Sequence, residues 1–285
     1  MSRSGAVDAQ RLALMLNALR LPATKALWQD FAERSDKEGW PAARFLAALL
    51  EHEIAERDRR RIERHLVEAK LLPGKTLDAF DFAAVPTLSK AQAVALGEDG
   101  SWVERGANLL LFGPPGGGKS HLASAIGLAL VERGRRVLMV RTTDLVQRLQ
   151  VARRELGLEG AIAKLDKFEL LILDDLAYVT KDREETGVLF ELIAARYERR
   201  SILVTANQPF GAWDQVFPDP AMTVAAVDRL VHHAVILEMN VESYRRRAAE
   251  AANAKAGRGR ATPSSPRRSS GDGEAAGTGS APEGD

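Results

Sequence analysis

"LLLFGPPGGGKSHLASAIGLAL", Leu109 to Leu130, is the stretch whose reading decides the fold of this chain. An apolar run stops at Gly113, prolines and glycines follow as far as Gly118, and Lys119 opens a helical pattern that runs to about Val131. Gly113, Pro114, Pro115, Gly116, Gly117, Gly118, Lys119 and Ser120 fit the pattern G-x-x-x-x-G-K-[ST], with the flanking strand and helix that the pattern requires. Glycines let the backbone turn tightly with N–H groups facing inward. A helix start adds its positive dipole end, so such a loop holds phosphate oxygens. Lys119 is expected to neutralise β- and γ-phosphates and Ser120 to place its hydroxyl on Mg²⁺, with His121 grouped beside them in the nucleotide-binding set. ATP and Mg²⁺ are the expected cofactors. A flexible glycine-rich turn is the competing reading, and the flanking elements weigh against it.

Working outward, the runs NLLLFG, RRVLMVRT, FELLILDDL, RRSILVTAN and HAVILEM alternate with helical patterns between about Leu88 and Arg247. Each is continuously apolar, as strands covered on both faces are. Their alternation with helices predicts a parallel sheet with crossover helices, an α/β P-loop core.

Polar residues at the ends of these runs extend the constellation. FELLILDDL ends in Asp174 and Asp175. At the carboxyl end of a buried parallel strand the first acid reaches the metal shell and the second polarises an attacking water, which favours hydrolysis over simple binding. A strand turning polar as it leaves the core is the plainer reading. SILVTANQ carries Thr205 and Asn207 at another strand exit. There a neutral amide orients the water or senses the γ-phosphate, although asparagine is also a common turn residue. Arg229 falls on a short helix before the last strand. A guanidinium offered to a neighbouring molecule's γ-phosphate neutralises transition-state charge; the plainer reading is a surface arginine beside Asp228.

Three regions separate by composition: helical patterns over residues 1–75, the α/β pattern over 76–250, and a Gly/Pro/Ser/Ala-rich end over 251–285 that is expected to be disordered. The long helical pattern runs from Ala42 to Ala69, and the break after it holds Pro73 and Gly74. With 40 basic and 39 acidic residues the net charge is +1, so a basic surface has to be local. Cysteine is absent, which excludes a disulfide scaffold and a thiolate metal site and fits a reducing compartment. The histidines lack a ligand spacing, and the adjacent pair His232 and His233 points in two directions on a helix, so a metal cluster is not expected among them. No apolar run approaches the roughly 20 residues of a membrane span. The first residues read as an amphipathic helix without a small-residue cleavage site, and a soluble cytoplasmic protein is expected. Trp28, Trp40 and Trp213 read as packing aromatics; Trp102 is a packing residue or a cover for the adenine.

The segments NLLLFGPPGGGKSHLASAIG, LLILDDL, SILVTANQPFGAWDQVF and AVDRLVHHAVILEM, in this order after a helical N-terminal region, resemble the IstB-like transposition helper ATPases. These are relatives of the DnaC-type helicase loaders within the AAA+ superfamily. The resemblance spans roughly Leu12 to Arg247. It implies that Lys119 and Ser120 are Walker A residues, Asp174 the Walker B magnesium aspartate, Asp175 the catalytic acid, Asn207 sensor 1 and Arg229 an arginine finger acting in trans. Arg245, in ESYRRR, stands where a second sensor would come. Two departures stand out: Asp175 replaces the glutamate of many AAA+ ATPases, and Gly117 replaces a common threonine. After HAVILEM only a short helical piece precedes the tail, so a full helical lid is not expected.

The resemblance also implies DNA, a partner transposase and a homo-oligomeric ring or spiral as partners, with no membrane. Arg57, Arg60, Arg61 and Arg64 share one face at helical spacing, as phosphate contacts require. The interleaved Glu53, Glu56, Asp58 and Glu63 predict ion pairs on a solvated helix, which charge alone favours. A second set, Arg148, Arg153, Arg154 and Lys164, lies where related initiators and loaders carry an inserted helix facing DNA. Arg258, Arg260, Arg267 and Arg268 in the tail add weak phosphate contacts or simply solubility. A helicase loader, a small-molecule kinase and a nucleotide-binding regulator without turnover remain as alternatives.

Overall fold

Each of the apolar runs forms a strand. They are β1 (Leu109–Phe112), β2 (Val137–Arg141), β3 (Leu170–Asp174), β4 (Ser201–Ala206) and β5 (Val235–Glu238). All pair in parallel in the order β2-β3-β4-β1-β5. The computed structural model describes residues 3–176, 183–208, 213 and 219–239. The chain divides into two units, Met1–Tyr244 and Arg245–Asp285, and every described residue belongs to the first. Arg245, the expected lid region and the tail with its arginines lie outside the described residues.

The alternation of side chains along the strands builds a core on each face of the sheet. Leu109, Leu111, Leu170, Ile172, Leu203 and Leu237 pack on one side with Leu122, Ile126 and Leu130. Those three come from α6 (Lys119–Glu132), the helix predicted to run to about Val131. Leu110, Phe112, Leu171, Leu173, Ile202 and Val204 face the other way. They meet α7 (Thr142–Arg154), α9 (Arg183–Arg196) and α10 (Pro220–Val231). Burying each such side chain contributes about 1.5–3 kcal/mol, and this is why the runs need no polar alternation.

Before the sheet come α1 (Arg3–Ala18), α2 (Pro22–Glu38) and α3 (Ala42–Ala69), the last as long as its sequence pattern predicts. Pro22 opens α2 at its first turn, where the missing N–H costs nothing. Glu53 of α3 is buried and accepts the Thr24 N–H at 2.9 Å and the Thr24 hydroxyl at 3.2 Å, tying α2 to α3. The last turns of α3 lie against α6 and β2, where Glu68 pairs with Arg136 at 2.6 Å.

Between α3 and β1 the chain makes a 3-10 turn (Phe82–Ala84), α4 (Lys90–Glu98) and α5 (Ser101–Glu104). Trp102 is buried there and donates its indole N–H to the Leu96 carbonyl at 2.9 Å, so its part is packing. Helix α8 (Leu158–Leu165) follows α7. Among the described residues no helix is long and apolar enough to cross a membrane.

One buried arginine organises the lower end of the sheet. Arg196, fully buried at the end of α9, donates to the carbonyls of Leu165, Phe168, Glu169 and Ser201 and lies 3.6 Å from Asp166. Burial depresses its pKa to about 10, which still leaves it charged at neutral pH.

Candidate nucleotide-binding site

The turn after β1 is shaped by backbone that only glycine adopts freely. Gly113 has φ +152°, and a Cβ there would stand 2.4 Å from the Met239 carbonyl oxygen. Gly118 has φ +94°, and a Cβ would meet the Phe80 ring at 3.1 Å. The glycines therefore admit both the turn and the approach of Met239 and Phe80, leaving the first N–H groups of α6 to face the loop. The Gly117 N–H closes the turn on the Pro114 carbonyl at 3.1 Å. Lys119 is buried and folds its ammonium over the loop, donating to the carbonyls of Gly113 at 2.8 Å and Pro114 at 2.9 Å.

Asp174 is where three elements meet. Its Oδ1 accepts the Ser120 hydroxyl from the first turn of α6 at 2.7 Å, and also the Thr205 hydroxyl from β4 at 2.7 Å. Its Oδ2 has no hydrogen-bond partner among the described residues. The Thr205 hydroxyl accepts the Asp175 N–H at 2.9 Å, and the Thr205 carbonyl accepts the Leu176 N–H at 2.9 Å. Asp175 takes φ +57°, which turns its side chain out of strand alternation immediately after Asp174. The Thr142 hydroxyl donates to the Asp174 carbonyl at 2.9 Å from the start of α7. Two oxygen donors, Ser120 Oγ and the Asp174 carboxylate, stand in contact beside the loop. A hydroxyl and a carboxylate suit a hard cation, and one or two protein oxygens are what Mg²⁺ ordinarily accepts, so the residues fit the expected metal.

The remaining expected residues divide. Asn207 follows β4 at this same end of the sheet, is half-buried, and makes no side-chain hydrogen bond among the described residues. His121 turns away from the loop: its Nε2 lies 3.0 Å from the Thr76 carbonyl, and the Phe80 ring meets it edge-on. A carbonyl only accepts, so Nε2 carries the proton. Burial lowers the His121 pKa, favouring the neutral ring. Its side chain fastens residues 76–80 to the phosphate loop.

Arg229 lies in the last turn of α10. Its Nη1 donates to the Ala225 carbonyl at 2.8 Å, and its guanidinium sits 5.2 Å from the Phe190 ring centroid; it forms no ion pair with Asp228. Asn108 anchors the end of this helix. Its Nδ2 donates to the carbonyls of Leu230 at 3.0 Å and Arg229 at 3.3 Å, and its Oδ1 accepts the Ile202 N–H at 2.9 Å.

Of the basic candidates on α3, Arg57 pairs with Glu53, Arg60 with Glu56 and Arg61 with Asp58, while Arg64 forms no ion pair among the described residues. Interleaved acids at helical spacing thus engage most of that face. On α7, Arg153 pairs with Glu191 of α9, whereas Arg148 and Arg154 are exposed and, with Lys164 of α8, form no ion pair among the described residues. His232 and His233 depart from expectation: α10 ends at Val231, so the two rings do not diverge around a helix but lie tilted against each other with centroids 3.9 Å apart.

Sequence reading passed over Thr205 as a functional residue in favour of its neighbour Asn207. The available signal was a hydroxyl breaking the apolar run of β4 near its exit, in register with the strand that ends in Asp174. Thr142, Asn108, Phe80 and Met239 carried no comparable signal, because their roles depend on which elements become neighbours.

A phosphate loop after β1, with β4 set between β1 and the acidic end of β3, is the arrangement of the ATP-binding P-loop proteins of the AAA+ class. Two solved structures share the fold. AMPPCP-bound DnaA from Aquifex aeolicus aligns with a TM-score of 0.50 and 20% identity over 65% of this chain and 56% of that one. A DNA replication initiation factor aligns with a TM-score of 0.51 and 20% identity over 66% of this chain, which again spans 56% of the other.

Sequence narrows the class. Residues 14–252 match the family described as IstB-like ATP binding protein, and the chain belongs to that family. An insertion sequence ATP-binding protein of Sinorhizobium fredii is 73% identical over 88% of this chain and 85% of its own length. Insertion sequence ATP-binding proteins of Geobacillus stearothermophilus, from IS5376, and Pseudomonas aeruginosa, from IS21, are each 36% identical; the alignments cover 84% and 82% of this chain and 94% and 88% of theirs.

Proposed function

We propose that this protein hydrolyses ATP to ADP and phosphate while assembled on DNA, and thereby assists the transposase of its insertion sequence in selecting target DNA. The observation that carries the reading is the contact of Ser120 and Thr205 with one oxygen of Asp174 beside the phosphate loop. In this scheme the loop amides and Lys119 hold the β- and γ-phosphates, with Lys119 exchanging its loop carbonyls for phosphate oxygens. Ser120 and Asp174 would hold Mg²⁺, which would supply neutralising charge at the phosphates. Asp175 accepts the proton of the attacking water and Asn207 orients that water.

Arg229 acts on the nucleotide of a neighbouring copy. Its place at the end of a helix anchored by Asn108, bonded to a carbonyl of its own helix and to no residue of the phosphate loop among the described residues, supports action in trans. ATP then bridges copies into a ring or spiral, and loss of the γ-phosphate loosens it. Residues 1–75 serve as a helical domain for DNA or transposase contact, residues 76–250 as the ATPase, and 251–285 as a tail. Within the assembly Arg148 and Arg154 on α7 are the foremost phosphate contacts, since neither forms an ion pair among the described residues. Names of relatives that join ATP binding to insertion sequences support the transposition context. A reducing, cytoplasmic location accords with the absence of cysteine.

Phosphate release from ATP, measured with and without duplex DNA, tests the reading. Turnover is expected to rise with duplex DNA and to vanish in Lys119→Ala; no release under either condition removes the ATPase assignment. Mixing Arg229→Ala with Asp175→Asn subunits is expected to restore part of the activity that each lacks alone, and no rescue at any ratio refutes action in trans.

A further inference from the structure

The end of α10 carries side chains that the nucleotide site does not use. His232 caps the helix, and His233 takes φ +60°, which folds the chain back and lays one imidazole against the other. Histidine enters the left-handed region more readily than most residues, so the fold-back costs little. Glu198, in the turn after α9, reaches the same place, with its Oε1 3.5 Å from His232 Nδ1. The Tyr197 hydroxyl lies 2.7 Å from that same nitrogen and restrains the ring. One donor atom from each of Glu198, His232 and His233 lies within 4.8 Å of the other two, and no other such trio occurs among the described residues.

We propose that Glu198, His232 and His233 form a binding site for a divalent transition-metal ion of the zinc class, distinct from the Mg²⁺ site. Two imidazoles and a carboxylate are donors that zinc takes readily, with water completing an open position, whereas Mg²⁺ prefers oxygens throughout. Tetrahedral zinc, with ligands at about 2.0–2.1 Å, needs donor atoms roughly 3.4 Å apart. All three side chains are exposed, and to reach that spacing from within 4.8 Å their donor atoms close on the ion, with His232 giving up the Tyr197 hydroxyl wherever Nδ1 is the ligand. A bound ion links the turn after α9 to the end of α10. Arg229 lies in that same last turn of α10, over Phe190 of α9, so the ion fixes the helix pair that positions this guanidinium. The metal site itself does not rest on the ATPase reading; only its consequence for Arg229 does.

Calorimetric titration of Zn²⁺ into the full-length protein, in a non-chelating buffer with excess Mg²⁺, tests the proposal. A single saturable zinc site is expected. Its affinity falls by about tenfold or more in His233→Asn, which tolerates the left-handed backbone, and in Glu198→Gln. It stays as in the wild type in Asp174→Asn. Co²⁺ gives a readout that needs no variant: intense visible bands of a low-coordinate site containing nitrogen are expected. No saturable zinc heat, wild-type affinity in His233→Asn, loss of the site in Asp174→Asn, or the weak spectrum of an all-oxygen octahedral Co²⁺ site each overturns the assignment.

Discussion

Replacing Thr205 by valine keeps the shape of the side chain and removes only the hydroxyl on which the two aspartates converge. That hydroxyl is fully buried, donates to Asp174 Oδ1 at 2.7 Å and accepts the Asp175 N–H at 2.9 Å. A hydrogen bond to a charged acceptor contributes about 1.5–3 kcal/mol, and a backbone N–H left unpaired costs about 1–3 kcal/mol. Asp174 keeps its bond from Ser120, and both aspartates are only half-buried, so water recovers part of the loss. The net destabilisation is then about 2–4 kcal/mol. For a chain of this size each kcal/mol lowers the melting temperature by roughly 2–4 °C, so a fall of roughly 4–16 °C is expected by calorimetry. Turnover is expected to drop about 10- to 100-fold with KM little changed, since a carboxylate misplaced by about 1 Å costs up to about 100-fold. Thr205→Ser keeps the hydroxyl and recovers most of both quantities. A valine variant that melts within about 1 °C of the wild type and turns over equally fast refutes the reasoning, as does a serine variant impaired as much as the valine one.

Gly113→Ala puts a methyl group against the Met239 carbonyl, where the gap is 2.4 Å, so β1 and the residue after β5 have to part; both the melting temperature and nucleotide binding are expected to fall, and wild-type calorimetric affinity contradicts this. Arg148→Ala and Arg154→Ala are each expected to lower duplex DNA affinity and to reduce the salt slope by about 1, whereas Arg60→Ala, already paired with Glu56 at 2.9 Å, changes the slope far less; filter binding across a salt series separates them. Glu53 yields a pH dependence. Burial raises its pKa, but hydrogen bonds from the Thr24 N–H, Arg57 and the Thr24 hydroxyl outweigh that, and the net shift is downward. A depressed folded-state pKa contributes stability in full above the ordinary value of about 4.3 and loses it as pH falls through the folded value. The melting-temperature gap between the wild type and Glu53→Gln is therefore expected to hold from neutral pH down to about 4.3 and to close below it; a gap unchanged in acid disproves the linkage.

Much of the site was legible because its parts are contiguous in the chain. The glycines, Lys119 and Ser120 occupy one loop and one helix turn, and their spacing alone brings them together. Asp174 was legible for a related reason, since a carboxylate at the end of an unbroken apolar run has to emerge at the carboxyl edge of a parallel sheet. His121 read as a nucleotide-loop residue because it follows Ser120, yet its side chain turns to Thr76 and Phe80, from a segment whose return to the loop no local pattern announces. On α3 the sequence left two readings of the arginines open, and the side-chain pairings favour the solvated, ion-paired one for Arg57, Arg60 and Arg61. The histidine pair misled because a helical register was assumed beyond Val231, where the backbone has already left the helix.

The sequence by itself determined the elements: apolar runs too continuous for anything but buried parallel strands, a long helix from Ala42 to Ala69, and a phosphate loop between a strand and a helix. These follow from periodicity and from the conformational freedom of glycine, both local properties. Only the tertiary structure decided which strand lies beside which. Register sets Leu173 of β3 against Val204 of β4, so Thr205 falls next to Asp174 and its hydroxyl closes the network. Strand order depends on how two hydrophobic faces are covered at once by helices distant in the chain, and that balance is summed over the whole core.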